Sequence, residues 1–310
     1  NGGVHTSASV LVRRGSELVV RDLIVEDSGG TALYVVHKGS VLDADGLLIR
    51  GTQAVDEKYY SGAVGVLDQA RATIRNAALD RNVDVGIGAE RQALVVVEDA
   101  VINRSSSARI DSAGNAVTAS EGAQLTLIRT RIAASRVAGI RALTEVKLSL
   151  QDVVIAGDPM LRPEFNGLGL ATFGSVEARN VAIHGVALAG VYLAPGSSSR
   201  FEQLRVTGVR RVDGEHGHGF ASDRGASSIV RSQFDRNAGA ALLFSGGATA
   251  QITSTSVSRN NIGIHAQLGS SLSTVEEGAL SPGEVRVSED TRFIENVSRI
   301  GTGVIPLPSF

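Results

Sequence analysis

The chain has 310 residues, with 30 basic against 32 acidic side chains, a net charge of −2 and no basic block. That balance excludes nucleic acid as the main partner, because such binding needs clustered cations. The absence of cysteine excludes disulfides and thiolate metal centres, and no apolar run reaches the roughly 18 residues of a membrane span.

Hydrophobic residues make up 43% of the chain and aromatics 4%. The apolar content is therefore aliphatic, which suits narrow packed layers. The basic residues are nearly all arginine, and the lysines are Lys38, Lys58 and Lys147.

From the start, short alternating stretches separated by glycine and polar corners read as strands. Residues 8–25 form a first coil with Val10, Val12, a turn at Gly15, then Leu18, Val20 and Val25. The same grammar returns at Gly30 with Leu33, Val35, turn Gly39, Val41, Leu47 and Ile49. It recurs at Gly114, with Leu125 and Leu127 after turn Gly122, at Gly167, and at Gly239, with Leu242, Phe244, Ile252 and Val257.

Ten glycines mark the repeat: Gly30, Gly62, Gly86, Gly114, Gly139, Gly167, Gly190, Gly219, Gly239 and Gly263. Their gaps of 20 to 32 residues mostly alternate long and short. Such self-similarity predicts a stack of one unit. Three short strands per turn predict a single-stranded right-handed parallel β-helix of about eleven coils, roughly 50 Å long at the spacing of paired strands. The glycines are expected at corners that need positive φ or close backbone approach. After Ser281 the rhythm breaks, so residues 1–275 are expected to form the β-helix and 276–310 a C-terminal cap over its last strands. Residues 1–7 are too few for a matching cap.

This pattern, with units such as Gly-Ser-Glu-Leu-Val-Val-Arg-Asp-Leu-Ile-Val at 15–25, resembles the parallel β-helix repeat proteins that share their architecture with pectate lyases and polygalacturonases. It is most similar to secreted bacterial β-helix repeat proteins of unassigned function. The resemblance covers about residues 8–275 and implies an extracellular or cell-surface location, with a signal or anchor removed. It does not carry a function with it.

The long repeats carry insertions after their third strand, at 51–61, 103–113, 156–166 and 208–218. On alternate coils these would stack along one flank about 10 Å apart. Each brings an acid (Asp56, Asp111, Asp158, Asp213) and a base such as Lys58, Arg109, Arg162 or Arg211. Glu164, Tyr59, Tyr60, His216 and His218 add side chains suited to a polar polymer. Loops on a rigid scaffold are where binding residues concentrate, so these are the candidate binding residues. The bland alternative is a set of solvated bulges whose charges pair locally.

Gly217-His218-Gly219 matches one polygalacturonase motif, but Asp-Asp, Asn-Thr-Asp and Arg-Ile-Lys elements are missing. His218 is therefore expected to be a loop residue, and no catalytic set is assigned. Asp43 and Asp45 lie on one face of a strand, yet two carboxylates do not fill a Ca²⁺ shell of about six to eight oxygens. No cofactor or metal is assigned. Asn103-Arg104-Ser105 and Asn296-Val297-Ser298 fit the glycosylation acceptor pattern, which means little in a chain that resembles bacterial proteins.

The expectation is a non-catalytic binding or structural module whose partner is an extended polysaccharide or a surface protein. The alternative is a polysaccharide lyase, hydrolase or epimerase on the same flank. A trimerising fibre subunit is the third reading, and oligomeric state is left open.

Overall fold

The computed structural model describes residues 8–54, 61–103, 105, 114–158, 167–212, 214–274, 278–301 and 303–308. The described residues form no helix, and the strands are parallel throughout their sheets. The fold is an all-β parallel β-helix. The chain divides into two compact units, Asn1–Lys147 and Leu148–Phe310, each a stack of coils.

In the first unit one sheet takes Ala8–Arg13, Thr31–Val36, Gly62–Leu67, Val85–Ala89, Asn115–Ala119 and Ala138–Ala142 in that order. The other sheet takes the ten-residue strands Glu17–Glu26, Val41–Arg50, Arg71–Asp80 and Leu94–Asn103, then Gln124–Ile128 with Arg131–Ala133. Register stacks like on like. Leu33, Val64, Ile87, Val117 and Ile140 are successive partners, and each is at most 1% exposed. Burying such a side chain contributes about 1.5–3 kcal/mol, so the aliphatic ladder is the main source of stability.

The second unit repeats the scheme with Leu168–Thr172, Ala189–Leu193, His218–Asp223, Ala240–Ser245, Ile262–Ala266 and Ser298–Ile300 in one sheet. Its inner ladder is thicker: Leu170, Val191, Phe220, Leu242 and Ile264 are in register. Phe220 lies edge-on to Phe201 at 5.8 Å between ring centroids and 5.8 Å from Phe244. The opposite sheet pairs Thr249–Thr253 with Glu284–Val287, and Ser256–Ser258 with Arg292–Ile294.

The repeating glycines show both roles expected of them, positive φ and close backbone approach, but the close approach falls mostly within strands and not at corners. Gly30 and Gly114 have positive φ, but Gly219 does not sit at a left-handed corner; it lies within the strand His218–Asp223. A Cβ built on it would stand 2.6 Å from the Ala241 carbonyl of the next coil and 3.0 Å from the Phe234 ring. Gly219 is therefore where neighbouring coils close on each other, and Gly219→Ala should cost about 1–3 kcal/mol through overpacking, read as a lower denaturation midpoint at unchanged slope.

The left-handed corners are instead filled largely by polar residues. Inside the long strands of the first unit Asp22, Asn76 and Asp99 have φ between 51° and 54°; Asp152 and Asn180 hold the same position in the second, at 55° and 53°. Asn and Asp tolerate this conformation better than other side chains with a Cβ. Asn180 also donates to Asp152 at 2.6 Å, and Asn76 to Asp45 at 2.7 Å.

A buried asparagine ladder runs through the last coils of the second unit. Asn237 is 1% exposed, as is Asn260. Asn260 Oδ1 accepts from both the backbone N–H and Nδ2 of Asn237 at 2.9 Å. Its Nδ2 donates to the carbonyls of Phe234 and Ser258 at 3.1 and 2.8 Å, and to Asn296 Oδ1 at 3.0 Å. Asn296 Nδ2 in turn donates to the Val257 carbonyl at 2.9 Å. Asn296 is thus a rung of the ladder, with its amide nitrogen engaged.

Candidate functional site

Of the expected binding residues, Asp56, Tyr59, Tyr60, Arg109, Asp111, Arg162, Glu164 and Asp213 lie outside the described residues, as does Lys58. Asp158 is half-buried, and its backbone carbonyl accepts from Arg210 Nη2 at 3.3 Å. Arg211 is exposed. His216 and His218 meet edge to face at 6.1 Å.

His218 is not a loop residue. It opens the strand His218–Asp223 and is 1% exposed. The N–H of Ala240 approaches Nδ1 at 3.1 Å, and the Pro306 carbonyl lies 3.1 Å from Nε2. An N–H can only donate and a carbonyl can only accept, so Nδ1 is the bare nitrogen and Nε2 carries the proton. Burial is the main cause that pushes the imidazole pKa down to about 4; His216, Arg211 and His265 push the same way, and the Pro306 carbonyl opposes them.

The ring is a neutral peg for residues 303–308. A second peg stands beside it: Gln267 Oε1 accepts from the Ile305 N–H at 2.7 Å, and Gln267 Nε2 donates to the Ile305 carbonyl at 2.8 Å. His265 Nε2 lies 3.0 Å from the same Oε1. These groups are committed to structure.

A surface with free hydrogen-bonding capacity lies in the first unit, at the corner between its two sheets. Here each coil turns through one or two left-handed residues: His37 and Gly39, Asp68 and Gln69, Arg91 and Gln92, Glu121 and Gly122, then Glu145. The next residue points inward and is small or aliphatic, being Ser40, Ala70, Ala93, Ala123 and Val146, all at most 1% exposed. Corner stacks on corner through backbone bonds, Gln69 N–H to Arg91 O and Gln92 N–H to Glu121 O, both 2.9 Å. Positions that precede the inward residue are therefore forced outward, one above another.

The result is an open groove of about 780 Å³ crossing five successive corners. Four strand spacings make it about 19 Å long. Gln69, Gln92 and Gln124 line it with Lys38, Arg71, Glu145 and Lys147, and Val41 and Leu94 are half-buried in its floor. Gln69 Nε2 donates to Gln92 Oε1 at 3.1 Å. That leaves Gln69 Oε1 and Gln92 Nε2 without another partner among the described residues. An adjoining stretch adds Asp68, Arg91 and Glu121, of which Arg91 and Asp68 pair at 2.8 Å.

No residue of this groove stands out in the sequence, since its members are ordinary turn residues 23 to 31 positions apart. The repeated signal was the turn pair followed by a small residue and a polar strand start, as in Asp-Gln-Ala-Arg at 68–71 and Arg-Gln-Ala-Leu at 91–94. Comparison of the chain with protein-family models, with curated proteins and with solved structures finds no match in any of the three.

Proposed function

We propose that this β-helix is a non-catalytic binding module for an extended glycan, acting outside the cell or at its surface, and that the corner groove spanning Lys38 to Lys147 is its binding face. The observation that supports this is the row of outward amide and charged side chains on successive coils above a floor of Val41 and Leu94. Amides offer paired donors and acceptors to hydroxyl groups, and the aliphatic floor suits the C–H face of a sugar ring. An open trough fits a polymer that passes through, where an enclosed pocket would suit a small molecule. The extracellular placement follows the architecture the sequence resembles.

The long-loop flank with Asp56, Tyr59, Arg109 and Asp111 is a second proposed face, carried by the sequence spacing of its insertions. A glycan array separates the two. The triple variant Gln69→Ala, Gln92→Ala and Gln124→Ala should lose about tenfold or more in affinity, since each amide contributes about 0.5–1.5 kcal/mol through its hydrogen bonds. Unchanged binding in that variant would move the site away from the groove.

A further inference from the structure

The charge of the groove narrows the ligand class, and this step rests on the groove being the binding face. Two of the three lysines in the chain, Lys38 and Lys147, line it together with Arg71. Several arginines of this unit pair with acids: Arg50 with Glu26, Arg75 with Asp43 at 2.8 Å, Arg81 with Asp80 at 3.1 Å and Arg129 with Asp99 at 2.6 Å. The three groove cations have no ion pair among the described residues. Glu145 is the acid that lines the groove with them, so the trough carries a net positive charge on a chain whose overall charge is −2. Local charge thus runs against the global balance.

Lysine and arginine also divide the labour. A lysine ammonium is a mobile point charge that follows an anion through several positions, while a guanidinium fits the planar or forked oxygens of a carboxylate or sulfate. The three amides between the cations match neutral hydroxyls. No aromatic side chain is among the groove's lining residues, which removes the stacking platform that single-stranded nucleic acid uses.

We infer that the groove takes an anionic glycan, a chain of hydroxylated sugar rings carrying carboxylate or sulfate groups, held by Lys38, Arg71 and Lys147 with the glutamine amides between them.

The test is surface plasmon resonance on the full chain with three immobilised polymers: alginate for carboxylate, heparin for sulfate, and dextran as the neutral control. Binding to alginate or heparin and weak binding to dextran is expected, with affinity falling as salt rises because exposed charges are screened. The variant Lys38→Gln, Arg71→Gln and Lys147→Gln should weaken anionic binding about tenfold, since each removes one exposed charge pair. A charge-matched control, Arg179→Gln with Arg200→Gln and Arg205→Gln on exposed strand positions of the second unit, should leave it unchanged.

Equal loss in the control would reduce the effect to overall charge and overturn the inference. Dextran binding as tight as alginate, insensitive to the groove cations, would overturn the anionic assignment while keeping the glycan reading. No binding to any of the three polymers would overturn both.

Discussion

Acidification from pH 7 to pH 4.5 should unfasten residues 303–308 and lower the stability of the second unit, and His218→Asn should flatten most of that dependence. In the unfolded chain the imidazole titrates near 6.5, and in the folded protein at about 4. Above about pH 6.5 the ring is neutral in both states and contributes no slope. Between 6.5 and 4 the unfolded chain takes up a proton that the folded site refuses, so stability falls as pH falls. The full difference corresponds to about 3 kcal/mol, reached near pH 4.

The geometry explains the refusal. A proton on Nδ1 would point at the N–H of Ala240, which lies 3.1 Å away and has only a hydrogen to offer. Urea midpoints measured at several pH values in wild type and His218→Asn isolate this group from the carboxylates. Asp235, held low by Arg259, Ser258 and Arg236 against its own desolvation, titrates alike in both proteins. Limited proteolysis at residues 303–308 reports the local release. Parallel pH profiles in the two proteins would show that the ring does not govern the slope.

The second large effect is expected at Asn260. Truncation to alanine strips an acceptor from the backbone and side chain of Asn237, and a donor from the carbonyls of Phe234 and Ser258. A buried group left without its partner costs about 1–3 kcal/mol, so Asn260→Ala should lose about 3 kcal/mol or more in chemical denaturation. Asn260→Asp provides the sharper reading. It keeps the acceptor oxygens but places a carboxylate beside two carbonyls, so it should be severely destabilised at pH 7 and partly recover in acid as the group is protonated. A loss for Asn260→Asp that does not change with pH would mean that the site admits water and the ladder is not closed.

These two sites also mark how far the sequence could be read. The coils were legible because inward aliphatics alternate with outward polar residues, and because register places like side chains in line, as from Leu33 to Ile140. The corners were legible where a glycine marks them, as at Gly15, Gly39 and Gly122, and not where a left-handed Asp22 or Gln69 takes the position, since those residues leave no such compositional trace. The repeating glycines pointed to the right period, and of the two reasons expected for them close approach between coils applies more often than positive φ. His218 read as a loop residue because its Gly-His-Gly neighbourhood suggests one; its partner at Pro306 is 88 positions away, beyond the reach of any local pattern. The groove was hidden for the same reason. Lys38, Gln69, Gln92 and Glu145 become neighbours only through the stacking of corners, and each alone is a common surface residue.

The corner stack also has a metric consequence. Gln69 and Gln92 occupy equivalent places one coil apart, separated by 23 residues, and the backbone bonds that join their corners do not depend on which side chains they carry. Excising one such repeat would shorten the trough by a single rung of about 4.8 Å and leave its width and chemistry as they were. The length of polymer that this surface can hold is thus counted in whole coils, and a lineage could lengthen or shorten its reach by duplicating or deleting a repeat, with no need to redesign a contact.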